Sequence, residues 1–210
     1  MRLVAKWTVG IVILLAFAAL LSPVALYWYG LTLLPADRDP AGPSAVPPMA
    51  RDLLWRELGG HGSPAMPILN PYTHFTQPSG PGMRLAVSAG RALLKKADAP
   101  RRWMPAFYSS VVWASRNWST EEALSTILAR AYYGHDLFRF DAAAQAYFGL
   151  PASALTRFET AQLVALTMSS SRYDPWCANA ASRTHASELA GSEASHSPPR
   201  LRPTPEGACS

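Results

Sequence analysis

From Trp7 to Ala36 no side chain is charged, and Thr8–Gly30 (TVGIVILLAFAALLSPVALYWYG) is almost continuously apolar. A helix of ~20 such residues crosses a bilayer, so the pattern predicts a transmembrane anchor within residues 1–34. Arg2 and Lys6 precede the run, which keeps the amino terminus in the cytoplasm and puts the main domain outside it. Tyr27, Trp28 and Tyr29 close the far end, where aromatic rings favour the headgroup level. Pro23 predicts a kink that a membrane helix tolerates. A cleaved signal peptide competes with this reading. The run is too long for an ordinary signal core and no A-x-A site follows it, so the anchor is preferred.

Beyond the anchor the pattern breaks and re-forms. Residues 35–50 (PADRDPAGPSAVPPMA) read as a proline-rich linker. RDLLWRELGGHG, from Arg51, is a short amphipathic piece ending in Gly59-Gly60, and five prolines between 62 and 82 predict extended loop. Leu85, Ala89, Ala92 and Leu93 carry helical spacing over Met83–Lys96, and Pro105–Ser115 predicts a further helix with Pro105 in its first turn. Ser119 with Glu122, and Thr156 with Glu159, each form the S/T-x-x-E box that satisfies free N–H groups at a helix start. Trp118 is placed to staple the first box against Ala123, and Gly134 and Gly149 stand where helices need a left-handed stop. After Cys177 the chain is small, polar and proline-rich, which predicts a disordered tail over 178–210. No strand-period alternation and no repeat occur. The expected fold class is all-α, with the helical domain over 51–177.

Composition narrows this a little. Of 210 residues, 49% are hydrophobic, enough for one core, and a net charge of +5 favours an anionic partner. The anchor, and the lack of any recognition motif, disfavour nucleic acid. Cys177 and Cys209 could pair outside the cytoplasm, but with Cys209 in the expected tail a loose disulfide or none is anticipated. Four zinc ligands at workable spacing are not visible, so no metal site is expected.

Tyr132-Tyr133-Gly134, Ala143-Ala144-Gln145-Ala146-Tyr147-Phe148-Gly149, Leu155-Thr156-Arg157-Phe158-Glu159, and Ser171 with Tyr173 and Pro175 form one continuous pattern. It resembles the C-terminal half of the family 51 glycosyltransferases, the membrane-anchored, lysozyme-like enzymes that polymerise peptidoglycan from a lipid-linked disaccharide. The resemblance implies a helical transglycosylase domain behind the anchor, single-pass in the cytoplasmic (inner) membrane. It implies as partners the lipid-linked precursor or glycan strand, membrane lipids and other cell-wall enzymes. No cofactor is evident; an active member would call for a divalent cation.

The family's chemical motifs fare differently in this chain. A glutamate in E-D-x-x-F-x-x-H-x-G deprotonates the acceptor hydroxyl, yet that motif laid on Arg51–Gly60 puts Arg51 at the glutamate and Leu58 at the histidine. The R-K-x-x-E glutamate falls near Phe107, with no acid between Asp98 and Glu121. The I-L-E-x-Y-L-N glutamate becomes Ser125 and its asparagine Ala129. The donor-binding G-x-S-T-I-T-Q-Q run falls on Gly82–Leu93, mostly apolar here, with Arg91 at its lysine. Arginine stays protonated and cannot act as a base. Asp52 and Glu57 are the remaining catalytic candidates, against the plainer reading of solvent-facing charges on a short helix.

What remains is cationic: Arg84, Arg91, Lys95, Lys96, Arg101 and Arg102 against Asp98 alone. Arg91, Arg102 and Arg84 are the candidate phosphate-binding residues, since guanidinium grips phosphate oxygens in pairs; the alternative is a basic surface facing lipid headgroups. Arg130 and Arg172 are weaker candidates. His61 and His74 could shuttle protons but, with His135, read as incidental loop residues; Trp103, Phe107, Tyr108, Trp113 and Trp118 could stack on sugar rings in a groove but at helical spacing read as core. Three accounts follow: a divergent polymerase, a non-catalytic binder of precursor, strand or partner, and a purely structural membrane-anchored domain. The missing glutamates weigh against the first.

Overall fold

The computed structural model describes residues 2–94, 103–191 and 200–209. Among these the architecture is all-helical, with no strand and one isolated antiparallel bridge, Tyr132–Phe138. In order the helices are α1 (Arg2–Leu31), α2 (Pro48–Glu57), α3 (Thr73–Thr76), α4 (Pro81–Leu93), α5 (Trp103–Asn117), α6 (Thr120–Arg130), α7 (Phe140–Phe148), α8 (Arg157–Leu166) and α9 (Asn179–Ala190).

The centre is α8. Every residue from Glu159 to Leu166 is buried, so this helix has no wet face, and α2, α7 and α9 pack around it. Both capping boxes form: Ser119 Oγ accepts from the Glu122 N–H and Glu122 Oε2 from the Ser119 N–H, with Thr156 and Glu159 repeating the exchange. Gly149 closes α7 at φ +69°, as a left-handed stop requires. Gly134 is also left-handed (φ +84°), but α6 has already ended at Arg130. That glycine instead turns the loop bridged by Tyr132 and Phe138, in which His135 and Asp136 take positive φ as well.

A second layer is built by α4, α5 and α6, and α1 lies against α5. Pro23 in α1 has no N–H to give the Ala19 carbonyl, and the Ser22 hydroxyl donates to that oxygen instead (2.9 Å). One residue on, the Leu20 carbonyl accepts from the Tyr72 hydroxyl (2.8 Å), and Ser109 Oγ donates to the Tyr27 carbonyl (2.9 Å). At Gly30 the helices approach so closely that a Cβ would sit 2.0 Å from Ser109 Oγ and 2.2 Å from the Pro105 carbonyl oxygen.

Two segments differ from expectation. The proline-rich linker 35–50 is pinned rather than loose. Its prolines leave backbone groups free, and the domain's side chains take them: Arg130 donates to the Asp39 carbonyl (2.6 Å), Trp118 Nε1 to that of Arg38 (3.0 Å), and the Ala41 N–H donates to Thr126 Oγ1. The tail expected to be disordered over 178–210 instead forms α9, which packs on α8 through Ala186, Leu189 and Ala190. Residues 200–209 lie back along the domain. Arg200 clasps the buried Glu159 carboxylate, the Arg202 N–H donates to the Tyr147 carbonyl, and Cys209 is disulfide-bonded to Cys177. The anticipated absent or loose disulfide is thereby corrected: ordering of 200–209 brings the two Cα atoms to 5.3 Å.

Candidate functional site

Helices α2, α4, α6 and α8 converge on a groove of about 490 Å³. Leu54 of α2, Leu58 at its C-terminal cap and Ile127 of α6 form its apolar floor. Arg91 and Arg130 stand in the last turns of α4 and α6. That position suits cations, because unpaired carbonyls give a helix C-terminus a partial negative charge. Ser88, Thr167 and Ser169–Ser171 add a row of hydroxyls from α4 and the turn after α8. No carboxylate lines the groove among the described residues.

The two arginines are held differently. Arg130 gives one nitrogen to the Asp39 carbonyl and another to that of Ala92 at 3.4 Å, tying α6 to the linker and to α4. Arg91 lies over the Phe107 ring, 5.8 Å from its centre, and has no carboxylate partner among the described residues. Arg91 is therefore the cation best placed to receive an anion. Arg84 is exposed on α4 and rests its guanidinium against Gly59, away from the groove lining. Arg102, with Lys95, Lys96 and Arg101, lies outside the described residues. Arg172 lies over the Tyr173 ring.

The candidate acids are engaged elsewhere. Asp52 Oδ2 accepts from Arg157 (3.0 Å) and pairs with Arg56 (3.2 Å), linking α2 to α8. Glu57 Oε2 meets His185 Nε2 at 2.8 Å, linking α2 to α9, and its side chain is only 9% exposed. His185 stacks on Tyr173 (4.3 Å between ring centres). Neither carboxylate enters the groove formed by the neighbouring face of α2, where Leu54 and Leu58 lie. Ser125, at the family's glutamate position, is fully buried with its hydroxyl unpartnered, so that position belongs to the core of α6. Arg51, at another of the three glutamate positions, donates to Glu121 (3.4 Å). His61 borders a separate depression with Asp52, Trp55 and Glu188, and burial lowers the proton affinity of His74.

Sequence reasoning held Arg130 only as a weaker candidate, whereas the structure sets it in the groove beside Arg91, and it missed the serine row. The run Ser169-Ser170-Ser171 was the available signal. Its meaning depends on α8 ending there, against α4 and α6.

A family model described as Transglycosylase matches residues 90–192, a span that takes in Arg91, Arg130 and the serines and stops short of α2. Penicillin-binding protein 2D of Bacillus subtilis (strain 168) is 37% identical over 76 residues. That alignment covers 36% of this chain and 11% of the relative.

Proposed function

We propose that this chain, whose residues 90–192 match the transglycosylase family, is a peptidoglycan glycosyltransferase-like protein that binds lipid-linked disaccharide precursor, or the glycan strand made from it, without polymerising it. The observation that carries this reading is the make-up of the groove: two guanidinium groups and a row of hydroxyls, with no carboxylate among the described residues lining it. Guanidinium groups match the oxygens of a pyrophosphate, and hydroxyls match those of a sugar. Transfer further requires a group that takes the proton of the attacking hydroxyl, and neither arginine nor serine does so unaided.

Membrane anchoring by α1 completes the proposal. Gly10–Leu31 is long and apolar enough to cross a bilayer, and its large side chains are exposed. Leu20, whose carbonyl accepts from Tyr72, lies about 16 Å along the helix from Leu31, roughly mid-span. The 66–76 segment, which ends in α3, thus packs beside α1 on the membrane side of the domain. Ile68, at 76% exposure, costs free energy there only if water reaches it. A domain packed against its own anchor keeps the groove near the bilayer that presents a lipid-linked substrate.

Full-length protein in lipid nanodiscs, given labelled precursor and a divalent cation, tests the reading by gel analysis of the products. Retention of label on the protein with no polymer is expected. Glycan polymer would overturn the non-catalytic part, and absence of both would leave a structural role.

A further inference from the structure

The exposed Cys177–Cys209 disulfide lies beside a histidine and a carboxylate supplied by other segments. The ligand atoms of His135, Asp174 and Cys177 all lie within 4.8 Å of one another, and Cys209 is bonded to Cys177. Asp174 is buried, and its Oδ1 accepts from the N–H groups of Trp176 (2.8 Å) and Cys177 (3.3 Å). This leaves Oδ2 aimed at His135 Nε2, 2.5 Å away. The His135 backbone is held at φ +48°, a conformation a non-glycine residue keeps only when its surroundings fix it, and its ring lies beside Trp176.

We propose that reduction of the Cys177–Cys209 bond converts this cluster into a four-coordinate zinc site made of Cys177, Cys209, His135 and Asp174. A dithiol passes two electrons and two protons to the disulfide and is itself oxidised to a disulfide. A zinc ion then displaces the two thiol protons and bonds both sulfurs. Two thiolates, an imidazole and a carboxylate are ligands zinc accepts in tetrahedral array, with bonds of about 2.0–2.3 Å and hence edges of about 3.3–3.8 Å. Among His135, Asp174 and Cys177 the present spacings, all within 4.8 Å, already approach those edges; the His135–Asp174 contact opens by about 1 Å, and Cys209, now bonded to Cys177, moves to the fourth position as the sulfurs part. Either chemistry ties Cys209 to Cys177 and so to the turn after Asp174, and zinc adds His135 of the 134–139 loop to that tie. Unpaired thiols would release the Cys209 end, leaving the segment held upstream by Arg200 and Arg202.

The test uses the full-length chain in detergent micelles, reduced with dithiothreitol and freed of it without air, and titrated with zinc against a chromophoric chelator. One zinc per reduced chain is expected, and none per oxidised chain. Cobalt in place of zinc should give the visible bands of a tetrahedral sulfur-ligated ion. His135→Ala and Asp174→Asn should each weaken zinc binding at least tenfold while helical circular dichroism is unchanged. Should either variant lose helicity, thiol alkylation of the reduced native chain decides instead, with zinc expected to protect both cysteines. The proposal falls if the reduced chain takes up no more zinc than a Cys177→Ser/Cys209→Ser variant. It falls too if His135→Ala and Asp174→Asn leave affinity unmoved, or if zinc gives no protection.

Discussion

At the scale of single residues, Glu159 shows how environment sets charge. Burial alone would raise its carboxyl. Hydrogen bonds from the Arg200 guanidinium, and then from the Thr156 and Arg200 N–H groups, outweigh burial and hold it at about 2. A carboxyl depressed in the folded state stabilises the fold above its unfolded value and loses that contribution as pH falls through the folded one. From about pH 5 down to about pH 2 the chain should therefore lose about 3 kcal/mol, and Glu159→Gln should flatten that part of the stability curve in urea titrations. An unchanged slope would contradict the clasp. Ser125 offers the opposite case. A buried hydroxyl without a partner costs about 1–3 kcal/mol, so Ser125→Ala should hold or raise the melting temperature, whereas a catalytic or ligand-binding serine would show its loss in function. Asp52 and Glu57 looked like spare acids because sequence shows charge and spacing, not partners; Arg157 lies 105 positions from Asp52 and His185 lies 128 from Glu57.

At the scale of elements, what sequence revealed was local. The two capping boxes and the Gly149 stop are interactions between residues three or four apart, and they appear where the pattern put them. Helix α9 was hidden because its burial relies on small residues, Ser182, Ala186 and Ala190, fitted against α8, with Gln162 Nε2 donating to Ser182 Oγ (3.1 Å). Small side chains give no hydrophobic period, so the segment read as a polar tail. The contact of α1 with α5 was equally invisible, since it turns on one glycine. Gly30→Val would drive a Cβ into Ser109 and Pro105, and the overlap should cost about 1–3 kcal/mol. A drop in the melting temperature of the detergent-solubilised protein would record it. An unaffected transition would mean that α1 does not seat against α5.

On the scale of the whole molecule, the groove could not be read from sequence because four separated segments build it, and the motifs that Arg91, Tyr132 and Ser171 carry do not say that they meet. Its chemistry follows from what the fold brings together: cations at two helix ends, hydroxyls from a third segment, and acids turned into ion pairs behind α2. Arg91 is the cleaner probe, because Arg130 also ties the linker to the domain. The direct measurement is the affinity of nanodisc-embedded protein for labelled lipid-linked precursor, compared between the native chain and Arg91→Ala at low and raised salt. Loss of a charge-assisted contact worth about 1.5–3 kcal/mol predicts roughly 10- to 150-fold weaker binding by the variant, with the native chain weakened by salt. Equal affinity of the two proteins, or native binding indifferent to salt, would contradict the account.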